Sequence, residues 1–184
     1  MATSQLSIFT DRLTLQLINS ADKNAIHDLH LRPEVDMYNT LGIPENIKET
    51  EEVIKPWIQD NERSNVQNYT FAIQTTRDKK LVGLIAIRQK GIKHKRAEVW
   101  FKIHPDYWGK GIASEALESI LEYGFNKLKL HRIESGCAVG NIGSIKVLEK
   151  VGMTREGRKR KVLPLKSGWS DNFMYAILKE DFES

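Results

Sequence analysis

Seven segments of the chain have the hydrophobic pattern and residue types of β-strands. In the clearest of them, Val99 and Ile103 fall on one face, whereas Glu98 and Lys102 fall on the other. Consecutive strand residues point to opposite sides of a sheet, so this alternation predicts a strand with one buried face. The predicted strands cover residues 12–17, 69–75, 81–89, 97–103, 133–139, 155–163 and 172–178.

Four other segments repeat their hydrophobic residues at the spacing of an amphipathic helix. The first follows a cap at Ser20 or Asp22 and is predicted to end at Pro33. The second, residues 47–63, contains Pro56, which is expected to kink or divide it. The fourth covers residues 141–151 and stops before a glycine. The third helix has a predicted buried stripe of Ala113, Ala116, Leu117, Ile120, Leu121, Gly124 and Leu128.

The order of these elements predicts an α+β fold with a mostly antiparallel sheet of about seven strands and about four helices. A strand, a helix and a strand follow one another between residues 97 and 139, and such a crossover makes one parallel pair. No repeat, low-complexity segment or linker divides the 184 residues. We therefore expect a single domain over residues 1–184.

Composition narrows the class of protein. Hydrophobic residues make up 40% of the chain, and no run of about 18 apolar residues is present to span a membrane. Residues 1–10 lack the basic and apolar regions of a signal peptide. A single cysteine, Cys137, cannot form an intramolecular disulfide, which fits a reducing compartment. These features predict a cytoplasmic protein without membrane contacts.

Charge is distributed unevenly, although the net charge is only +4. Residues 34–62 are rich in Asp and Glu, whereas residues 88–96 and 155–161 are rich in Lys and Arg. One interpretation is that these runs are solvated surface. The other is a basic side that binds phosphates and an acidic side that receives a cationic substrate.

The segment Tyr-Trp-Gly-Lys-Gly-Ile-Ala-Ser at residues 107–114 joins a predicted strand to a helix. Two glycines there let backbone N–H groups face outward at the positive end of a helix dipole, which suits a pyrophosphate, and Lys110 adds a positive charge. The alternative is a tight turn without a ligand. The segment lacks the P-loop pattern, and as a dinucleotide fingerprint it has Ser114 in place of the third small residue. A phosphate cradle for another nucleotide cofactor remains.

A second candidate segment covers residues 141–153. Asn141, Ser144 and Leu148 share one helical face there. The alternative for Asn141 is an ordinary helix N-cap, and that for Ser144 is a first-turn residue without a function.

Together these segments resemble the GNAT superfamily of acyl-coenzyme A-dependent N-acetyltransferases, and more narrowly its RimJ/RimL branch, which acetylates the N-termini of ribosomal proteins. The resemblance extends from Thr10-Asp11-Arg12 to the Gly168-x-x-Asp171 motif near the end of the chain. It implies a sheet that is splayed at the parallel pair, with the pantetheine arm of acetyl-coenzyme A along residues 99–104. It further implies that residues 108–114 wrap the pyrophosphate and that Asn141 contacts the cofactor near the thioester. The cofactor-binding residues implied are Phe101, Ile103, His104, Trp108, Gly109, Lys110, Gly111, Ile112, Ala113, Ser114, Asn141 and Ser144.

The sequence departs from the superfamily pattern at two positions. Many members have Gln or Arg where Trp108 stands, although the RimJ/RimL branch accepts aromatic residues there. Many also place a general-acid tyrosine where this chain has Leu148. A mechanism that depends on that tyrosine is therefore not expected here.

Acetyl transfer requires a neutral amine. A protein α-amino group, with a reference pKa of about 7.7–8.0, is roughly a tenth neutral at pH 7, whereas a lysine near 10.4 is almost fully protonated. An N-terminal acceptor thus needs little help from a base. Glu98 is the predicted base, acting through water, and its alternative is a surface carboxylate paired with Arg96 or Lys102. A backbone N–H group between residues 101 and 103 is expected to stabilise the oxyanion.

Several further residues have two interpretations. Ser144 is expected to donate a hydrogen bond to the departing sulfur, because a hydroxyl is too weak an acid to transfer a proton near neutrality. Tyr38 and Trp57 either line the acceptor pocket or pack in the core, and Cys137 is expected to be a buried structural thiol. His27 and His30 lack carboxylate or cysteine partners in the sequence pattern, so no metal site is predicted.

The acidic run indicates a cationic acceptor, either a basic protein N-terminus or a small polyamine. A different class of protein also fits the basic runs: a non-catalytic coenzyme A sensor or a nucleic-acid binder. Nucleic-acid binders interleave aromatic and basic residues, and both basic runs lack aromatics. We therefore expect no direct contact with nucleic acid, and a monomer or a homodimer.

Overall fold

The computed structural model describes residues 6–183, and its strands form one mixed sheet. The sheet has eight strands rather than seven, because a three-residue strand near the N-terminus is too short to show a pattern in the sequence. The expectation about a signal peptide in residues 1–10 falls partly outside the described residues. The strands are β1 (Ser7–Phe9), β2 (Leu13–Leu17), β3 (Asn68–Thr75), β4 (Leu81–Gln89), β5 (Arg96–Ile103), β6 (Arg132–Ala138), β7 (Thr154–Leu165) and β8 (Gly168–Leu178). Their order is β1-β2-β3-β4-β5-β6-β8-β7.

Six α-helices occur in the described residues, two more than predicted. The two extra helices have only four residues each, so they carry no hydrophobic period that could be read from the sequence. The helices are α1 (Lys23–His30), α2 (Pro33–Asp36), α3 (Ile47–Asn61), α4 (Ile112–Asn126), α5 (Ile142–Lys150) and α6 (Lys179–Phe182). None of the helices in this part of the chain is long and apolar enough to cross a membrane.

The first helix ends before Pro33, as predicted, whereas Pro56 does not divide the second one. Helix α1 ends at His30, and Pro33 occupies the first turn of α2, where its fixed φ is favourable and its missing N–H is not needed. Pro56 lies inside α3, which continues unbroken to Asn61. Pro56 is on the exposed side of the helix, so water can bind the carbonyl group that loses its N–H partner.

Two hydrophobic clusters lie on opposite faces of the sheet. The larger one joins the inward side chains of β2–β6 to α4 and α5, and the smaller one joins β3 and β4 to α1 and α3. The alternation in β5 is confirmed: Val99 and Ile103 pack in the larger cluster, whereas Trp100 packs against the smaller one. The predicted stripe of α4 is buried from Ala116 to Gly124, and Leu128 lies beyond the end of the helix.

The predicted crossover through α4 produces the parallel pair β5–β6. All other neighbouring strands pair antiparallel. Because parallel strands end at the same edge of the sheet, the first turns of α4 and α5, which follow β5 and β6, lie at that edge together. The candidate active site is therefore expected where these two strands end.

Candidate active site

Strands β5 and β6 pair over only three residues before they separate. The register joins Arg96 to Arg132, Ala97 to Ile133 and Glu98 to Glu134, and no ladder pair is formed beyond them. β5 nevertheless continues to Ile103 on β4, and β6 continues to Ala138 on β8. The carbonyl oxygen of Val99 accepts a hydrogen bond from Oγ of Ser135 at 3.1 Å. Beyond Val99, the edge of β5 that faces β6 is thus open to an extended ligand with amide groups, as the pantetheine arm requires.

Gly109 and Gly111 shape the turn that follows β5. Both have positive φ values, 70° and 77°, which favour glycine. Gly111 is the N-cap of α4 and has no side chain to cap the helix, so the first N–H groups of α4 remain without an intrahelical partner. A Cβ atom at Gly111 would lie 3.3 Å from Nη2 of Arg12. The turn therefore has the conformation and the donors that a pyrophosphate needs.

Arg12 and Glu115 hold this turn in place, a role that the sequence pattern alone does not reveal. The Arg12 side chain donates from Nε to Oε2 of Glu115 at 2.6 Å and from Nη1 to the carbonyl oxygen of Lys110 at 3.0 Å. Thr10 donates to Oε1 of the same carboxylate at 2.6 Å. Burial raises the pKa of Glu115, but the hydrogen bonds from Thr10 and Arg12 outweigh it, so the pKa lies below its usual range. Arg12 and Glu115 are more than a hundred residues apart in the sequence, so only the three-dimensional structure shows that they hold the turn together.

The other predicted residues of the turn contribute in different ways. Trp108 is half-exposed and donates from Nε1 to the carbonyl oxygen of Ile103 at 2.7 Å, which ties the turn to the end of β5. The Lys110 ammonium group lies 5.3 Å from the ring centre of Tyr107. The side chains of Ile112 and Ser114 are buried. Their backbone N–H groups, not their side chains, are thus the parts that could contact a cofactor.

His104 and Phe101 border the open edge of β5. Phe101 is half-buried and packs against the larger core, whereas His104 is buried. His104 accepts a hydrogen bond at Nδ1 from the backbone N–H of Asp106 at 3.3 Å, and its Nε2 lies 3.6 Å from Asp28. These contacts fix the imidazole at the end of the strand. The backbone N–H of His104 donates to the carbonyl oxygen of Val82 at 2.8 Å and its carbonyl oxygen accepts from the N–H of Tyr107 at 2.9 Å, so His104 anchors the strand end to its neighbours.

Asn141 caps α5, as the alternative interpretation proposed. Its Oδ1 accepts a hydrogen bond from the backbone N–H of Ser144 at 3.1 Å. The cap leaves the Nδ2 amino group as the part of Asn141 that a ligand could use. Ser144 is half-buried in the first turn of the helix, whereas Leu148 is fully buried in the core. Leu148 therefore cannot replace a tyrosine in contact with the cofactor.

Replacing Ser144 by alanine is expected to lower the turnover number about fivefold, because a hydrogen bond to the departing sulfur is worth about 1 kcal/mol. Steady-state rates of thiol release measure the effect. Lys146→Ala, on the exposed side of the same helix, is the control and should leave the rate unchanged. A complete loss of activity in folded Ser144→Ala protein would assign a larger role to the hydroxyl.

Glu98 is the last residue of β5 to be paired with β6, so it lies where the cleft begins. Its side chain is 48% exposed and forms an ion pair with Lys90 at 3.1 Å. The predicted alternative partners, Arg96 and Lys102, are incorrect: Arg96 instead binds Glu134 at 2.5 Å. Glu98 is thus a solvent-accessible carboxylate at the base of the cleft, in reach of a proton carried by water.

Lys102, on the same face of β5 as Glu98, is half-buried and forms a polar cluster with the buried residues His30 and Asp36. Burial lowers the pKa of Lys102 to about 8 and that of His30 to about 3. The charge of Asp36 acts in the opposite direction on Lys102. Among the described residues, neither Nε2 of His30 nor Oδ1 of Asp36 has a hydrogen-bond partner. The sequence pattern did not single out this cluster, because its members come from α1, α2 and β5.

Tyr38 and Trp57, the two predicted acceptor residues, lie in different places. Trp57 packs on Trp100 with ring centres 5.3 Å apart and meets His30 edge-on at 6.4 Å, so it belongs to the smaller core. Tyr38 is 37% exposed and lines a cavity of about 540 Å³. The cavity also includes Val139 and Gly140, which directly follow β6. It therefore opens at the edge of the sheet where the cleft between β5 and β6 lies.

The charged runs are placed differently from the expectation. Residues 88–96 end where β5 begins, whereas the glycine turn follows the other end of β5, and the strand from Arg96 to Ile103 is about 23 Å long at about 3.3 Å per residue. They cannot contact a pyrophosphate held at that turn. Three basic residues of the run 155–161 line the cavity instead, and Tyr38 is the only residue of 34–62 among its described lining residues. The acidic run is thus not a wall of this cavity.

The remaining expectations concern Cys137 and metals. Cys137 is buried, and burial raises the pKa of its thiol to about 11, which agrees with a structural role. Within residues 6–183, no group of three or more His, Cys, Asp and Glu side chains is arranged to hold a metal ion.

Comparisons with known proteins agree with this geometry. Residues 12–154 match the family model of the acetyltransferase (GNAT) domain. The chain is 35% identical over 177 residues to the uncharacterized N-acetyltransferase YnaD of Bacillus subtilis (strain 168), covering 96% of this chain and 99% of that protein. A GNAT-family acetyltransferase structure from Bacillus anthracis has a TM-score of 0.81 at 32% identity, over 95% and 99% of the two chains. Spermidine N-acetyltransferase from Vibrio cholerae, solved with CoA and spermine, has a TM-score of 0.82 at 26% identity, over 95% and 100%.

Proposed function

We propose that this chain, which belongs to the GNAT acetyltransferase family and transfers acetyl groups from acetyl-coenzyme A to amines, uses the N-terminal α-amino group of a protein as its acceptor. A ribosomal protein of the kind that the RimJ/RimL branch modifies is the proposed example. The proposed compartment is the cytoplasm. The cofactor is held at the glycine turn and along the open edge of β5.

One observation carries the choice of acceptor: Glu98 is exposed and ion-paired with Lys90 rather than enclosed beside the amine. Such a carboxylate can pass a proton to water but is not held against the acceptor. A lysine acceptor is almost fully protonated near pH 7 and needs a dedicated base, whereas roughly a tenth of α-amino groups are already neutral. The site thus fits an acceptor that loses its proton easily.

The backbone and Ser144 would provide the rest of the chemistry. N–H groups of β5 beyond residue 99 are not engaged by β6, and one of them can donate to the oxygen of the thioester carbonyl as negative charge develops. Ser144 would stabilise the departing sulfur. The amine attacks the carbonyl carbon, the C–S bond breaks, and the proton of the amine leaves through water towards Glu98.

Polyamine acetylation is the second candidate, and a specific relationship favours it. The spermidine N(1)-acetyltransferase of Vibrio cholerae is 30% identical to the chain over 146 residues. The acidic run 34–62 would also attract polycations. Against this, the cavity beside the cleft is lined by Arg158, Arg160 and Lys161, with Asp171 as its only acid among the described lining residues. A polycation would be repelled there.

The test is a thiol-release assay with acetyl-coenzyme A and a panel of acceptors. It compares peptides with a free N-terminus, the same peptides with a blocked N-terminus and one internal lysine, and spermidine. We expect the free N-terminal peptides to have the highest kcat/KM. Preferred turnover of spermidine would favour the second candidate, and acetyl-coenzyme A binding without turnover of any amine would favour a sensor.

Replacing Glu98 by glutamine is expected to reduce kcat/KM about tenfold at pH 6 but only about twofold at pH 9, because the amine needs more help to lose its proton at low pH. The pH-rate profile with a free N-terminal peptide measures this. Glu51→Gln removes an exposed carboxylate of α3 that pairs with Lys23, and should leave the profile unchanged. An unaltered profile in Glu98→Gln would remove Glu98 from the mechanism.

A further inference from the structure

Strand β7 contains a bulge next to the cavity that Tyr38 lines. Lys159 pairs with Asn172 and Leu163 pairs with Ser170, so residues 160–162 lie opposite the single residue Asp171. Within the bulge, Lys161 has a φ of 48°, a left-handed conformation that is uncommon for a residue other than glycine. Bulges of this kind change the direction in which side chains point. Here the bulge places basic side chains in the cavity wall.

Asp171 holds the bulge in this shape. Its Oδ1 accepts the backbone N–H of Lys161 at 2.9 Å, and its Oδ2 accepts Nε of Arg158 at 2.6 Å. These two hydrogen bonds lower the pKa of the buried Asp171 carboxyl. Its negative charge is thus already compensated by Arg158, so Asp171 is not available to attract a cationic acceptor.

Two positive charges of the cavity wall remain uncompensated. The Lys161 ammonium group donates to the carbonyl oxygen of Trp169 at 3.0 Å, which leaves its charge in place. Arg160 lines the cavity and has no ion pair within the described part of the chain. Three basic residues and one acid therefore give this wall a net positive charge.

The cavity is large enough to hold more than the reacting amine. Its volume of about 540 Å³ lies within the usual range for ligand sites, about 300–1,000 Å³. Tyr38 closes one side against Gly140, where a Cβ atom would lie 3.2 Å from the tyrosine ring. Trp169 contributes an exposed indole on the other side. Residues that follow the N-terminus of an acceptor could thus occupy the space beside Arg160.

We infer that the acceptor occupies this cavity, that the preferred acceptor carries a carboxylate close to its reacting amine, as an acidic side chain at the second or third position of a protein N-terminus, and that Arg160 binds this carboxylate. The inference rests on the proposed N-terminal acetylation. It reverses the cationic preference that the acidic run suggested. A guanidinium group with free donors is well suited to pair with a carboxylate in two parallel hydrogen bonds.

The test compares kcat/KM for three peptides that share their first residue and have aspartate, asparagine or lysine at the next two positions. We expect the aspartate peptide to exceed the asparagine peptide about tenfold at low ionic strength. The difference should shrink in 0.5 M salt, because salt screens exposed charges (Debye length about 3 Å at 1 M). Arg160→Glu should lower kcat/KM for the aspartate peptide about 100-fold and raise it for the lysine peptide.

Lys159→Glu is the matched control, because it makes the same charge change one residue away without being among the cavity-lining residues. It should leave the order of the three peptides unchanged. If the reversed charge disturbs folding, Arg160→Gln serves as the second variant. We expect it to remove the preference for aspartate.

Three outcomes would overturn the inference. Equal kcat/KM for all three peptides would overturn it while leaving N-terminal acetylation intact. Equal effects of Arg160→Glu and Lys159→Glu on the three peptides would also overturn it. Turnover of spermidine or of a free amino acid with no turnover of any peptide would overturn the proposed function together with the inference.

Discussion

Replacing Gly111 by valine is expected to weaken acetyl-coenzyme A binding about 100-fold while the protein stays folded. Gly111 has a φ of 77°, and a β-branched residue there would force the backbone of the turn away from its present conformation. The first N–H groups of α4 would then no longer converge on the pyrophosphate. Losing one or two hydrogen bonds to a charged group, at about 1.5–3 kcal/mol each, corresponds to roughly this change in Kd.

Calorimetric titration with acetyl-coenzyme A measures the change, and Gly42→Val is its control. Gly42 has a φ of 83°, and a Cβ atom at this position would have no other atom within 4 Å. A valine there therefore imposes a similar backbone strain, but in a loop before α3. It should lower the free energy of unfolding without altering Kd. If folded Gly111→Val protein bound acetyl-coenzyme A as tightly as the unaltered chain, the turn would not be the pyrophosphate site.

Replacing Glu134 by glutamine is expected to lower the free energy of unfolding by about 2 kcal/mol at pH 7. Glu134 is buried at the closed end of the cleft and binds Arg96 at 2.5 Å, Arg132 at 2.8 Å and Lys90 at 3.4 Å. Removing one partner of a buried ion pair costs about 3–5 kcal/mol. The cost is smaller here because the cations reach solvent. Urea unfolding measures the difference. As the control, Glu51→Gln removes one partner of an exposed ion pair and should cost less than about 1 kcal/mol.

The cost of Glu134→Gln should depend on pH. Burial opposes ionisation, but hydrogen bonds from Arg132 and Arg96 lower the pKa of Glu134 to about 2 from an ordinary value of 4.5. A carboxyl with a depressed pKa in the folded state contributes its full stabilisation above pH 4.5 and loses it as the pH falls towards 2. The stability difference between the two proteins should thus be constant near neutrality and shrink in acid. A difference that did not change with pH would mean that packing, not charge, is responsible.

The two glycine residues of the turn are an example of what the sequence alone predicts at this site. Gly109 and Gly111 stand between a predicted strand and a strongly amphipathic helix, and this local order is sufficient to predict outward N–H groups at a helix start. The order of strand, helix and strand also predicted the parallel pair, because a crossover of this kind usually joins two parallel strands. These predictions succeed because backbone conformation depends mainly on neighbouring residues.

Residues that act through distant contacts were not predictable in this way. The Arg12–Glu115 clamp and the contact of Tyr38 with Gly140 join segments about a hundred residues apart. The partner of Glu98 was also predicted incorrectly, because Lys90, directly after β4, comes close to Glu98 only when β4 pairs with β5. Likewise, the bulge at Lys161 depends on Asp171 across a hairpin.

By itself, the sequence determined the α+β class, the parallel crossover, the glycine turn and the family resemblance, because each depends on short-range periodicity or on a contiguous motif. Only the tertiary structure decided which charges meet at the site. It placed the basic run 88–96 at the far end of β5 and put Arg160, rather than the acidic run, in the wall of the cavity that Tyr38 lines. Charge interactions depend on distance in space, and separation along the chain does not specify that distance.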